Sequence, residues 1–434
     1  MRNFVKELFL TGLTGIMFWG TGKQAFNFGE SNCLSNMRIY RMITSPMSRE
    51  WQSSWVALSH GRRKTRIGEK VVDLCSFEFL SNLEVNKSKK HTSAAGPFRI
   101  ENNAFFRRGT SASSTNHTKY KEIISTLPRI EGRWRQSLQL HEYQGFWFGQ
   151  NILEGIMSAQ EHLKAQPTDI FICSHPKSGT TWLKALSFAI LTRKRFSYSS
   201  TNPLLSELPH DVMPFIDISA FTDITSRDPE LPLLSTHMPY TSLPKSIVEG
   251  KCKIIYICRD PKDLFISLWH FTSKLRGTRA ETFPLEEACQ KFCEGLHNYG
   301  PYWDHVLGYW KASLQFPERM LFIKYEDLQN DTFSYVKRMA EFMGCPFSME
   351  EERQGLVQKV VDLCSFEILS NLEVNKSKKH SSAARQYLKI EKRAFFRKGK
   401  VGDWENYLTA EMAATIDQIT EQKFCGSGLS FKAP

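Results

Sequence analysis

A short polar turn between two apolar runs carries the residues best suited to chemistry, because it combines an ammonium group, hydroxyls and a permissive backbone. These residues are Lys177, Ser178, Gly179, Thr180 and Thr181. The apolar run 170–173 before the turn predicts a buried strand, and an amphipathic run opening at Thr180 predicts a helix. The first N–H groups of a helix lack internal partners and attract anions. The pattern therefore predicts a phosphate-binding loop, with a plain strand–turn–helix as the alternative.

A second strand–turn–helix offers a guanidinium at a comparable position. The run 254–258 predicts a buried strand, Pro261 suits the first turn of the next helix, and Ser267 lies two helical turns from Arg259. A guanidinium is planar and presents paired donors that suit a phosphate monoester. The alternative is a surface arginine beside a helix-capping aspartate, Asp260.

One histidine and one tyrosine stand at the ends of apolar runs. His237 follows the short run 233–236 and precedes a proline by two positions, whereas Tyr325 follows the run 320–324. The ordinary pKa of histidine suits a general base at neutral pH. From the residues alone, a structural histidine and a core tyrosine are the simpler interpretations.

The sequence of the first turn, HPKSGTTW, resembles the phosphosulfate loop of the soluble PAPS-dependent sulfotransferases, where PAPS is 3′-phosphoadenosine 5′-phosphosulfate. The resemblance covers roughly 118–434, and its details favour the plant branch, with its flavonoid and steroid enzymes. Three further motifs support it: T-H-x-P around His237, the string containing Arg259 and Ser267, and the basic loop that begins at Arg397. Animal members carry a lysine two residues before the histidine, where this chain has Ser235.

This resemblance implies in-line transfer of a sulfuryl group from PAPS to a hydroxyl of a small organic acceptor. In that scheme His237 takes the acceptor's proton, Lys177 neutralises charge on the bridging oxygen, and Ser267 engages Lys177 before the acceptor binds. Trp182 and Phe366 would sandwich or edge the adenine. The co-substrate-binding residues that the resemblance implies are Lys177, Ser178, Gly179, Thr180, Thr181, Trp182, Arg259, Ser267, Tyr325, Cys364, Ser365, Phe366, Arg397, Lys398 and Gly399.

The expected fold is a three-layer α/β/α arrangement with a mostly parallel central sheet, a P-loop-like nucleotide sulfotransferase fold. Alternating apolar runs and amphipathic stretches between 169 and 343 favour it, and the stretch 348–361 predicts a further helix. The aromatic stretch 146–148 suggests an acceptor mouth, with core packing as the simpler alternative. The expected organisation is an unorganised, disordered leader over 1–70, a partial duplicate plus linker over 71–117, and a sulfotransferase domain over 118–434.

The duplicate is the most unusual stretch of the chain. VVDLCSFEFLSNLEVNKSKKH from Val71 recurs from Val360 with one change, and AFFRRG later returns as AFFRKG. One repeat separated by a whole domain does not indicate a solenoid. We interpret it as a remnant of a neighbouring tandem gene or as a gene-model fusion. The alternative is a second half-site, or a self-mimicking regulatory arm that would compete with the second copy for the same surface.

Composition adds weaker limits. The net charge of +12 suits an anionic ligand, but no Arg-rich tail or RNA-binding signature appears, so nucleic acid is not an expected partner. The ten cysteines show no metal spacing, which predicts free thiols and no metal. The apolar run 8–20 is too short to span a bilayer, and a signal-peptide core or a short anchor is the alternative to an ordinary leader. We expect a cytoplasmic monomer or weak homodimer without stable membrane association.

Two competing functions remain open from the sequence. A P-loop kinase would share the strand–loop–helix pattern but needs a Walker-type lysine, whereas Lys177 precedes Gly179. A catalytically impaired or non-catalytic fusion with a PAPS-binding domain would keep the same motifs. The acceptor itself cannot be read from the variable loops 192–234 and 277–296.

Overall fold

The computed structural model describes residues 112–132, 138–196, 201–218, 230–275, 283–376 and 391–431. The predicted leader, the first copy of the repeat and the apolar run 8–20 lie outside these residues. The helices and strands, in chain order, are α1 (Ala112–Thr126), β1 (Arg129–Gly132), β2 (Leu138–Tyr143), β3 (Phe146–Gly149), α2 (Gln150–His162), β4 (Ile170–Ser174), α3 (Thr180–Thr192), β5 (Leu233–Thr236), α4 (Lys245–Val248), β6 (Lys253–Cys258), α5 (Pro261–Leu275), α6 (Leu285–Cys293), α7 (Tyr302–Gln315), β7 (Met320–Lys324), α8 (Tyr325–Asn330), α9 (Thr332–Phe342), α10 (Met349–Arg353), α11 (Leu356–Leu363), α12 (Phe366–Asn371), α13 (Glu373–Lys376) and α14 (Ala410–Phe424).

The central sheet has four parallel strands in the order β5-β4-β6-β7. Its strands are continuous apolar runs because a parallel sheet is buried on both faces. Ser174 at the end of β4 pairs with Ile257 of β6, so the carboxyl ends of the inner strands lie at one edge. That edge is where α/β folds bind ligands.

Side chains that alternate along these strands enter two separate cores. Phe171 and Tyr256 pack with α5, α6, α7 and α14, whereas Ile172 and Ile255 pack with α3, α9 and α11. Successive residues of a strand point to opposite faces, which explains the division. Helices therefore cover both faces of the sheet, and the predicted three-layer α/β class with a parallel sheet is confirmed.

A second, antiparallel sheet was not predicted. Strands β1, β2 and β3 pair in sequence order, and Trp147 of β3 also bridges to Gly300. This sheet precedes α2, whose buried face includes Leu153 and Ile156. The aromatic stretch 146–148 thus forms a strand, where the sequence had suggested an acceptor mouth or core packing.

One predicted helix is divided in two. The sequence pattern favoured a single helix over 348–361, but α10 ends at Arg353 and α11 begins at Leu356. Gly355 has φ +69°, a left-handed conformation that interrupts the helix. Elsewhere Thr180 and Pro261 begin their helices as predicted.

The described residues settle two smaller points. No helix among them is both long and apolar enough to cross a membrane. The cysteines in these ranges all carry free thiols, as expected, and most are buried.

Candidate active site

The phosphate loop lies at the carboxyl edge of the sheet, between the end of β4 and the start of α3. Gly179 precedes the helix with φ +107° and ψ 13°, which is outside the range that L residues adopt readily. A Cβ at this position would lie 2.7 Å from Cδ2 of Tyr325. The missing side chain therefore allows the loop backbone to pack directly on the Tyr325 ring.

The loop hydroxyls have three different environments. Ser178 Oγ is buried and has no hydrogen-bond partner among the described residues. Thr180 Oγ1 lies 2.6 Å from Ser174 Oγ, and Thr181 Oγ1 lies 2.9 Å from Nε2 of His210. A buried hydroxyl without a partner is costly, so Ser178 Oγ is available to a ligand at the helix N-terminus.

Lys177 is half-buried and also has a left-handed backbone, with φ +71°. Its Nζ lies 4.2 Å from the ring centre of Phe271, and the described residues show no hydrogen bond between Lys177 and Ser267. Burial, together with the cationic side chains of Lys274, Arg259 and Arg397, lowers the pKa of Lys177 to about 7. A cluster of cations that depresses a lysine pKa favours an incoming anion.

Arg259 follows β6 and is 5% exposed. Its Nη2 donates to the carbonyl of Lys400 at 2.6 Å, and its guanidinium carbon lies 4.5 Å from the Tyr325 ring centre. Its Nε is buried without a partner in the described part of the chain. The guanidinium is thus held in place while one donor remains unused.

Asp263, which the sequence reasoning missed, fixes the C-terminal loop beside Arg259. Its carboxylate accepts hydrogen bonds from the backbone N–H of Gly402 at 2.7 Å and of Trp404 at 3.1 Å, and lies 3.7 Å from Arg259. The signal that could have identified it is an aspartate four residues after the arginine, in the first turn of the helix that follows.

The predicted basic loop reaches the same place. Arg397 and Lys398 both donate to the buried carboxylate of Asp403, Lys398 at 2.8 Å. Gly399 has φ +64°, and a Cβ there would lie 2.5 Å from the ring of Phe366. Arg397, Gly399 and Phe366 are therefore close together, although Lys398 is largely exposed.

The residues expected around adenine lie in different environments. Trp182 packs edge-on against Tyr325 at 5.6 Å between ring centres, and its Nε1 is buried without a partner among the described residues. Ser365 caps α12, accepting from the N–H of Ile368. Cys364 is fully buried in the core on the α3 side of the sheet, so its side chain does not face the site.

His237 follows β5 with a defined tautomer. Its Nδ1 lies 2.7 Å from the backbone carbonyl of Ser174, which can only accept, so Nδ1 carries the hydrogen and Nε2 keeps its lone pair. Burial, with smaller contributions from Lys184, His305 and Lys177, lowers the pKa of His237 to about 3. The imidazole is therefore neutral at pH 7.

Two residues missed in the sequence hold His237 in position. Asp217 accepts a hydrogen bond from its backbone N–H at 2.8 Å and another from Thr236 Oγ1. His305 Nε2 lies 2.9 Å from the His237 carbonyl, and its Nδ1 lies 2.9 Å from the hydroxyl of Tyr256. No local pattern in the sequence connects these residues.

The arrangement joins an anion-binding loop, two buried or half-buried cations and a neutral imidazole at one edge of the sheet. Such a set can bind phosphate groups, stabilise negative charge and accept a proton. These are the requirements of group transfer from a phosphorylated donor to a hydroxyl.

Comparisons with known proteins agree with this chemistry. Residues 167–428 match the family model for a sulfotransferase domain. "Cytosolic sulfotransferase 17" of Arabidopsis thaliana is 51% identical over 317 residues, covering 72% of this chain and 90% of that protein. Flavonol 4′-sulfotransferase of Flaveria chlorifolia is 46% identical over 327 residues, covering 74% and 99%.

Among solved structures, a mouse sulfotransferase complexed with PAP (3′-phosphoadenosine 5′-phosphate) is 27% identical, with a TM-score of 0.52. The match covers 66% of this chain and 95% of that one. Since the domain match alone spans more than half of the sequence, this chain belongs to the sulfotransferase family.

Proposed function

We propose that this sulfotransferase takes its sulfuryl group from PAPS and transfers it to a hydroxyl of a small organic acceptor. The observation that carries the proposal is the group of buried donors without partners around the phosphate loop, Ser178 Oγ and Arg259 Nε, beside the cation of Lys177. The PAP complex of the mouse relative supports a 3′,5′-bisphosphorylated adenosine as the ligand.

The residues present fit this co-substrate. The first N–H groups of α3, with Ser178, Thr180 and Thr181, would hold the 5′ end. Arg259, Ser267 and Arg397 would hold the 3′-phosphate, and Asp263 keeps the C-terminal loop beside them. When bound, PAPS supplies an activated sulfuryl group and a phosphate leaving group.

Adenine would lie against the aromatic residues that the sequence indicated. The Trp182 ring packs edge-on against that of Tyr325, and the partly exposed ring of Phe366 lies against the backbone of Gly399. The unused Nε1 of Trp182 offers a donor to a base nitrogen. Cys364 and Ser365 would contribute through their backbone at the turn, since the Cys364 thiol is buried in the core.

His237 would act as the general base through Nε2. The hydrogen bond from Nδ1 to the Ser174 carbonyl orients the ring and leaves the lone pair free. Burial and nearby cations keep the imidazole unprotonated. A bound anion beside Lys177 would offset the contribution of that lysine to the low pKa of His237, which is smaller than the contribution of burial.

Lys177 would stabilise the charge that develops on the departing phosphate oxygen. A nearby anion raises its depressed pKa and favours the ammonium form, so the full charge is present when it is needed. With acceptor, sulfur and leaving oxygen held in line, positioning and charge stabilisation would supply most of the rate.

The acceptor would bind beside His237, between aromatic rings. The ring centres of Phe215 and Tyr299 lie 5.0 and 5.5 Å from that of His237. Flat aromatic surfaces suit a phenolic or steroid hydroxyl, and the Flaveria relative acts on flavonols. The cytosolic naming of the Arabidopsis relative supports a cytosolic setting.

The first test is calorimetric titration of the full-length chain with PAP, using AMP as the control that lacks a 3′-phosphate. Tight binding of PAP and weak binding of AMP are expected. Equal affinity for the two nucleotides would contradict the 3′-phosphate site, and no binding of PAP would contradict the proposed co-substrate.

The base assignment has its own test. His237→Ala should lower kcat with a flavonol acceptor by roughly 10²–10⁴-fold and leave the Kd for PAP unchanged, because general-base catalysis contributes on that scale. A comparable loss of PAP affinity would show that His237 serves binding rather than proton transfer.

A further inference from the structure

A buried lysine lies behind the phosphate loop, and its one contribution to the proposed chemistry is to lower the pKa of His237. Lys184 is three residues after Thr181 on α3, so the two side chains share a helix face. Its side chain is fully buried, and no described carboxylate forms a salt bridge with it, although Asp217 and Asp211 are close enough to act on its charge. Burying a cation without a direct salt bridge is expensive, so its hydrogen-bond partners matter.

Lys184 contacts a histidine that in turn contacts the loop. Its Nζ lies 3.3 Å from Nδ1 of His210, and Nε2 of His210 lies 2.9 Å from Thr181 Oγ1. These two contacts use both ring nitrogens of His210. Lys184, His210 and Thr181 therefore form one continuous chain of polar atoms.

The donors in this chain have a fixed order. When Lys184 is protonated, its ammonium group can only donate, so His210 Nδ1 accepts and its Nε2 carries the hydrogen. Nε2 then donates to Thr181 Oγ1, whose own hydrogen has to point to a different acceptor. Thr181 is the second residue of α3, where the unpartnered helix N–H groups also lie.

The surroundings hold His210 in this position. Its ring centre lies 4.2 Å from that of Phe395, which also lies 5.9 Å from Nζ of Lys177. The next residue, Asp211, pairs with Lys392 at 2.9 Å. Both contacts join the 201–218 stretch to the segment that leads into the basic loop.

We propose that Lys184 and His210 are positioning residues that turn the Thr181 hydroxyl into a donor for the 5′-phosphosulfate end of the co-substrate. This inference rests on the proposed function, since it concerns the same ligand. The ammonium group of Lys184 fixes the direction of both hydrogen bonds, so that the hydroxyl hydrogen of Thr181 points to the bound anion. Burial lowers the pKa of Lys184 to about 7, and the carboxylates of Asp217 and Asp211 oppose this shift.

The test is a double-mutant cycle read by the Kd for PAP. His210→Phe keeps an aromatic ring against Phe395 but removes both nitrogens, whereas His210→Gln keeps one acceptor and one donor. Thr181→Val removes the hydroxyl at the end of the chain. Each variant is titrated with PAP and with adenosine 3′-phosphate, which lacks the 5′ group.

We expect His210→Phe to weaken PAP binding by about tenfold or more, and His210→Gln to recover most of that loss. Affinity for adenosine 3′-phosphate should stay within about twofold. In the Thr181→Val background, His210→Phe should add almost nothing, because the two changes remove the same interaction.

Three results would overturn the inference while leaving the proposed function intact, provided that the wild-type chain binds PAP. These are unchanged PAP affinity in His210→Phe, an equal loss for adenosine 3′-phosphate, and a full additional loss in the Thr181→Val background. Failure of the wild-type chain to bind PAP would refute the proposed function itself.

Discussion

Gly179 offers the sharpest test of the loop geometry. In Gly179→Ala, an L residue must adopt φ +107°, and the backbone term alone costs at least about 1–2 kcal/mol. The new Cβ would also lie 2.7 Å from the Tyr325 ring, so the ring or the loop has to move. Overpacking of this kind costs roughly 1–3 kcal/mol. Alanine also lowers the conformational entropy of the unfolded chain, which offsets about 0.4–1 kcal/mol of the loss.

These terms give a net loss of roughly 1–5 kcal/mol in the free energy of unfolding. For a domain of this size, the Tm should fall by about 2–7 °C. The Kd for PAP should rise by about tenfold or more, because the displaced segment carries the helix N–H groups. Thermal unfolding and calorimetry measure the two effects.

Gly426→Ala is the matched control. Gly426 has φ +71°, and a Cβ there would meet no heavy atom within 4 Å, so only the backbone term applies. Its net cost should be about 0–1 kcal/mol, without effect on PAP affinity. The close approach of the loop to Tyr325 is refuted if Gly179→Ala loses no more stability and no more PAP affinity than this control.

Three further predictions follow from other parts of the molecule. Arg259→Met should weaken PAP by about 100-fold and AMP by only a few-fold in parallel titrations, and an equal loss for both would remove Arg259 from the 3′-phosphate site. Burial lowers the pKa values of His297 and His305 to about 4 in the folded chain, whereas a histidine in the unfolded chain has a pKa near 6.5. Below about pH 6.5 the unfolded chain therefore binds more protons than the folded chain. The free energy of unfolding, measured with urea, should therefore fall by about 2 kcal/mol per histidine from pH 7 to pH 5. His305→Gln should reduce this pH dependence. An unchanged pH dependence would contradict a neutral, buried His305. A chain beginning near Thr118 should keep the PAP affinity and turnover of the full chain, and a shorter chain that fails to fold would contradict the proposed 118–434 domain.

Local sequence was enough for the strand–turn–helix at the phosphate loop. The apolar run, the polar turn and the helix start are contiguous, so propensity and the motif point to the same structure. The single helix over 348–361 was predicted wrongly because the periodicity continues across Gly355, and only the left-handed backbone there shows the break.

The supporting contacts could not be predicted because they join distant parts of the chain. His210 lies in a proline-rich stretch without periodicity, and its partner Thr181 is 29 residues earlier. Asp217 holds a histidine 20 residues later by accepting from its backbone N–H. In each case tertiary packing selects the partner, so the residue type alone gives no signal.

The anchor between Asp263 and the C-terminal loop has a consequence for how the domain assembles. It joins Asp263 to Gly402, 139 residues later, so the nucleotide site is complete only after distant segments have folded. Such contacts form late, since the entropy of closing a long loop must be overcome first. A nucleotide that binds only the completed site stabilises the entire domain by mass action. Saturating PAP should therefore slow proteolysis throughout the domain, including segments that never touch the ligand.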